Sequence, residues 1–301
     1  MREKLPSGAV IDLEAATVLL QWATGGMAFC WFTTRRREVG LGYGWLLRGT
    51  YALIAFGAVA CGIRFDSNPV RDAAAAATAV TCVAALVVSI ARKRAGVSGQ
   101  HVEHDRRSAR VAAMTGIDRS VDRRAEAASA LGETSTPEFR PGLDLVPVVC
   151  GLVGLVAAGV DTDANVVVSL LRTLAGAAFL GAVTDAMLLG HWYLVQPGLP
   201  RRLLHELVNA LGFVWPVEVI ALLLPTGMVS VWTGAVDDGW NGTLGWFWGA
   251  CAVTTIVLVG VTKAALRERE YSAVMAATGL LYLAILTAFG TDIVARAVLS
   301  G

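Results

Sequence analysis

Apolar residues run along this chain in eight stretches, near 14–34, 42–62, 71–91, 143–160, 165–193, 203–224, 242–262 and 271–292. Polar or glycine-rich connections separate them. A helix needs about 20 residues to cross the hydrocarbon core of a bilayer. The pattern therefore predicts an all-α fold, a polytopic integral membrane helical bundle with about eight transmembrane helices. The fourth stretch is short, and the fifth is long enough to tilt or overrun the interface. Three parts follow: residues 1–91 as an N-terminal three-helix transmembrane part, 92–142 as a polar loop, and 143–301 as a C-terminal five-helix transmembrane part.

Basic residues orient these spans. Arg35, Arg36 and Arg37 follow the first. Arg92, Lys93 and Arg94 follow the third. Arg201 and Arg202 precede the sixth, and Lys263, Arg267 and Arg269 lie between the seventh and eighth. With eight crossings, all four clusters fall on one side, which the positive-inside rule makes cytoplasmic. The opposite loops carry Asp161, Asp163, Asp237 and Asp238, with Arg64 and Arg71 as minor exceptions. Both termini are then external, residues 92–142 are cytoplasmic, and the expected location is the cell membrane. Trp31, Trp45 and Trp192 fall near cytoplasmic ends, and Trp240, Trp246 and Trp248 near an external end, as an interfacial aromatic belt predicts.

Composition sharpens this picture. Apolar residues make up 55% of the 301 residues and charged residues only 16%, against about 25% charge in an ordinary soluble domain. Mean hydropathy is +0.59. Lipid, rather than an aqueous core, accommodates that much apolar surface. The net charge of +1 gives nucleic-acid binding no global electrostatic support. The cysteines Cys30, Cys61, Cys82, Cys150 and Cys251 have neither CxxC nor zinc-like spacing and read as small packing residues. The first apolar run lacks a cleavage-like site and is followed by arginines, so it reads as a retained span. Glycines such as Gly151, Gly154, Gly176 and Gly181, with the alanines of 73–77, are the small residues that let helices approach closely in lipid.

The loop over 92–141 holds ten Lys or Arg and seven Asp or Glu, a net of +3. His101 and His104 lie in it without an acidic partner motif for a metal. Residues 119–131 have the composition of a surface helix. The segment reads as a solvated linker with the charge to touch anionic lipid headgroups or a partner.

Ionisable groups inside spans are costly and mark sites, and they concentrate in the hairpin of spans five and six. Arg172, Asp185, His191, His205, Glu206, Asn209 and Glu218 all belong to it. Pro197, Gly198 and Pro200 make its turn. His191 lies seven residues before Gly198 and His205 seven after it, so their rings sit at similar depth. If the face of His191 meets that of His205 and Asn209, the two imidazoles approach a common ligand: a haem b iron, a quinone carbonyl, or a proton in relay. Arg172 and Glu218 are the deeper pair. Their counted depths differ by about 9 Å at about 1.5 Å per residue, which tilt and a long arginine can close to form an ion pair. Pro216 interrupts the helix beside Glu218. Asp185 is the third candidate, within the span on a different face from His191, to be satisfied by Thr184 or a residue of another span, and the best candidate for proton transfer.

These residues support two principal function classes. The first is an integral membrane subunit of a redox or respiratory assembly, shaping a quinone or haem pocket and anchoring partner subunits. His191, His205 and Asn209 are its cofactor-binding candidates. The second is a proton-coupled membrane transporter using Asp185, Glu218 and Arg172 as buried charges. A non-catalytic scaffold within the membrane is the third. No nucleophile–base pair, nucleotide loop or sugar-transfer motif points to a hydrolase or an ATPase.

Overall fold

The computed structural model describes residues 14–65, 67–98, 137–161, 165–196, 198–268 and 270–299. Nine α-helices are present among them: α1 (Ala15–Thr34), α2 (Leu41–Arg64), α3 (Pro69–Ala91), α4 (Leu145–Val160), α5 (Val166–Val195), α6 (Arg202–Leu223), α7 (Gly227–Trp232), α8 (Thr243–Ala265) and α9 (Tyr271–Leu299). Short 3-10 turns at Lys93–Ala95 and Pro141–Asp144 flank the segment that joins α3 to α4. His101, His104 and the helix expected over 119–131 lie outside the described residues.

The long helices begin where local chemistry allows. Asn68 accepts from the Arg71 backbone N–H ahead of Pro69, pairing a capping amide with a proline that has no N–H to lose. Asn165 caps α5 by accepting from the N–H groups of Val167 and Val168. Pro216 lies within α6, which nevertheless continues from Arg202 to Leu223.

Seven helices, α2 to α6 with α8 and α9, are long and apolar enough to cross a membrane, with α4 extended by its preceding turn to Pro141. Apolar side chains point outward along them: Leu53 and Phe56 on α2, Val149 and Val153 on α4, Phe213 and Ile220 on α6. A surface that apolar is suited to lipid rather than water.

The remaining long helix, α1, is the innermost. It packs on α2, α4 and α5. Twelve of its 20 residues are buried, including Thr17, Gln21 and Thr24, whereas only a third to a half of the most apolar stretch of each other long helix is buried. Its polar residues lower its hydropathy because they face protein. Around it α3 pairs with α2 and α4, α5 with α6 and α9, and α8 with α9 and α6.

The crossing of α1 and α5 is close because Gly25 and Gly181 carry no Cβ. A Cβ on Gly25 would lie 1.7 Å from the Ala177 carbonyl oxygen, and one on Gly181 2.2 Å from the Gly25 carbonyl carbon. The backbones therefore touch, the arrangement small residues permit in lipid.

The basic clusters meet at one end of the bundle. Arg36 pairs with Glu206 at 2.6 Å and Arg35 with the same carboxylate at 3.4 Å. Arg37 pairs with Glu138 at 2.6 Å, and Arg202 with Glu38. Arg201 donates to the Glu268 carbonyl. At the opposite end Asn68 donates to Asp161 at 2.8 Å. Trp240 and Trp246 are exposed there, but Trp248 is 2% exposed and packs against Trp232. The belt expectation fails for Trp248 because α7 and the loop after it fold back over α8, a feature that the span pattern does not contain.

Candidate functional site

Three buried polar clusters and a pair of peripheral histidines contain the candidate residues. The first cluster is centred on Asp185 of α5, which is fully buried. The Tyr51 hydroxyl on α2 donates to its Oδ1. Tyr51 reaches it because Gly26 leaves room: a Cβ there would sit 2.0 Å from the tyrosine ring. Asp185 Oδ2 has no hydrogen-bond partner among the described residues. The neighbouring Thr184 hydroxyl does not serve Asp185. It donates to the Leu180 carbonyl at 2.7 Å and accepts from the Trp22 indole of α1 at 3.0 Å.

A second cluster locks α2 to the start of α4. Arg48 donates to both oxygens of Asp144, each at 2.7 Å. It also donates to the Ser89 hydroxyl of α3 at 3.3 Å, and its guanidinium lies over the Phe139 ring at 4.3 Å. Both side chains are nearly inaccessible, at 3% and 0%. The planar guanidinium matches the carboxylate as a fork, the strongest geometry for such a pair. Arg48 also lines a cleft at the basic end with Arg37, Glu138 and Phe139.

The third cluster lies in the opposite half, where α5, α6 and α9 meet α1. Glu218 and Asp292 are both fully buried, as is Gln21. Arg296 donates through Nε to Asp292 Oδ1 at 2.8 Å and through Nη2 to the Arg172 carbonyl at 2.8 Å. Gln21 donates to the Thr173 carbonyl at 2.6 Å. Gly176 makes the space: a Cβ there would meet Arg296, Asp292 and Gln21 at 2.4, 2.6 and 3.1 Å. Glu218 has Asp292, Arg296 and Arg172 as its charged neighbours. Among the described residues, neither Glu218 oxygen, nor Asp292 Oδ2, nor Gln21 Oε1 has a hydrogen-bond partner.

The expected Arg172–Glu218 ion pair is not formed. Arg172 instead donates to the carbonyls of Ala221, at 3.1 Å, and Leu224. These belong to the end of α6, whose last carbonyls have no partner within the helix and attract a cation. Arg172 thus joins α5 to α6 by capping a helix terminus.

The histidines face different helices. His191 Nδ1 lies 3.2 Å from the Tyr282 hydroxyl of α9. His205 Nε2 lies 3.1 Å from the Leu266 carbonyl at the end of α8, so that nitrogen carries the proton. Asn209 is exposed. No hydrogen bond or ring contact among the described residues joins the two imidazoles, and no group of three or more His, Cys, Asp or Glu there is arranged to hold a metal ion.

Sequence reading found Asp185, Glu218 and Arg172 but not their surroundings. Arg48, Asp144 and Asp292 each lie inside a predicted span and carried the same signal of a charge in hydrocarbon. Arg296 stands four residues after Asp292, the spacing of a helical ion pair. Tyr51 carried no signal, since a tyrosine in a span is unexceptional. Comparison with known protein families, characterised proteins and solved structures finds no match for this chain.

Proposed function

We propose that this chain is a multi-pass membrane protein that couples proton movement to solute transport. In this reading α1 is an eighth crossing, the basic end is cytoplasmic, and both termini are external. One observation carries the reading. Among the described residues, three fully buried carboxyl groups, Asp185, Glu218 and Asp292, each keep at least one oxygen without a hydrogen-bond partner.

Buried acids without a full set of donors are expensive in a structural role. They suit groups that take up and release protons. Asp185 and Gly176, which borders the third cluster, are nine residues apart on α5, about 14 Å along the axis. Along the α1–α5 seam, Gln21 stands at the Gly176 end and the Trp22–Thr184 pair at the Asp185 end. The acids therefore occupy two depths beside one close helix crossing, the layout an alternating switch needs.

A redox subunit holding haem b or quinone at His191, His205 and Asn209 has weaker geometric support, since the two rings engage separate helices and Asn209 faces outward. The test uses sealed membrane vesicles containing the chain or its D185N variant, given a mixture of ions and small metabolites under an imposed pH gradient. Mass spectrometry should find a solute that accumulates only with the unaltered chain and only with the gradient. Identical contents in the two preparations would overturn the proposal. An optical haem band lost in H191A or H205A would move the assignment to the redox reading.

A further inference from the structure

The acid cluster at α6 and α9 has a specific imbalance. Asp292 is held from one side: its Oδ1 accepts from Arg296, while Oδ2 remains open. Glu218 faces that carboxyl with both of its own oxygens open. Arg172 is committed to the carbonyls ending α6. Arg296 is committed to Asp292 and the Arg172 carbonyl, and it also senses Glu14 at the start of α1. From α1 the group facing this site is the neutral amide of Gln21. The sequence of α7 contains no ionisable side chain.

An ionised Glu218 would leave a buried charge with no donor to any of its lone pairs. Two ionised carboxylates side by side would also repel. A single proton removes both problems. As an acid, Glu218 donates its O–H to Asp292 Oδ2 and fills one open position on each residue. Arg296 already occupies Asp292 Oδ1, so Oδ2 is the open acceptor and the proton has a defined home.

We propose that Glu218 and Asp292 form a proton-binding dyad that holds one proton between them, with Arg296 fixing Asp292 as the acceptor. This deepens the transport reading and rests on it only for the proton's purpose, not for its presence. The dyad also explains why Gly176 has no side chain: any Cβ would fall on the acceptor carboxylate.

The test is infrared difference spectroscopy of the purified, reconstituted full chain titrated with acid and base. The expected result is a carbonyl stretch from a protonated carboxylic acid at neutral pH. That band should disappear in E218Q, shift in D292N because its acceptor changes, and persist in D185N. E218Q should match the unaltered chain in thermal stability, because its amide N–H replaces the donated O–H. That control separates loss of the proton from loss of the fold. A band that survives E218Q overturns the proposal. A band with the expected assignment but no solute accumulation leaves the dyad standing and removes transport. Accumulation that depends on Asp185, with no Glu218 band, does the reverse.

Discussion

Tyr51 of α2 and Asp185 of α5 meet across a gap that Gly26 of α1 leaves open. The three residues come from three helices, and 134 positions separate the hydrogen-bonded pair. The contact ties α2 to α5 across the innermost helix and gives the buried carboxyl a donor.

Replacing Tyr51 by Phe removes that donor and leaves both Asp185 oxygens open. The expected loss is about 1–3 kcal/mol, the cost of a buried polar group left unsatisfied. Denaturation in detergent micelles measures it. A Y51F/D185N pair should lose less than the sum of its single variants, since the two residues share one bond. Additive losses would show that the hydroxyl does not serve Asp185.

Arg48 and Asp144 predict a different pattern. Removing either partner strands a buried charge, which costs about 3–5 kcal/mol. Replacing both with apolar residues of similar volume, as in R48M/D144L, should recover most of that loss, because no charge is left unpaired. Thermal unfolding of the three variants distinguishes the outcomes. A double variant as unstable as either single one would mean that Ser89 and Phe139, rather than charge pairing, dominate at this site.

The α1–α5 crossing should tolerate no added atom. Gly181→Ala places a methyl group 2.2 Å from the Gly25 carbonyl carbon, and rigid backbone on both sides cannot yield. The variant should be poorly expressed or aggregate in gel filtration. Gly260→Ala, which meets nothing within 4 Å, is the matched control and should behave normally.

Much of this architecture was legible in the sequence, for a simple reason. Span position depends on a run of apolar residues, a local property, and the observed helices begin and end within a few residues of the predicted spans except at the far end of α9. Rotation was not legible. His191 and His205 were placed at equal depth, but each residue turns a helix by about 100°, so depth alone does not decide which neighbour a side chain meets. The Arg172 assignment failed for a related reason: its partners are backbone carbonyls at the end of α6, which no side-chain inventory displays. Asp185 was identifiable as a buried acid, but its donor lies on a helix distant in sequence. The turn of α7 back over α8 interrupts no long apolar run and so left no mark on the pattern.

Asp238 offers a pH-dependent prediction outside the spans. It is 3% exposed, covered by its own loop rather than by depth. Its Oδ1 accepts from the N–H groups of Trp240 at 2.9 Å and Gly242 at 2.8 Å, and its Oδ2 from Leu244 at 2.9 Å. Burial pushes this carboxyl up, but the backbone donors outweigh it and hold it below its ordinary value. The position also precedes α8, where a negative charge is favoured. A carboxyl depressed on folding contributes stability above its unfolded value, about pH 4, and loses that contribution as pH falls through its lower folded value. The loop between α7 and α8 should therefore be secure at neutral pH and loosen in acid. Hydrogen exchange at Trp240, Gly242 and Leu244, corrected for the intrinsic effect of pH, reads this directly. Protection should be high at neutral pH and fall on acidification. In D238N, whose neutral amide keeps one acceptor oxygen and offers no charge, protection should be lower at neutral pH and change little with acid. Equal protection across that range in the unaltered chain would show that the loop is held by the packing of Trp232, Trp246 and Trp248 rather than by the carboxylate.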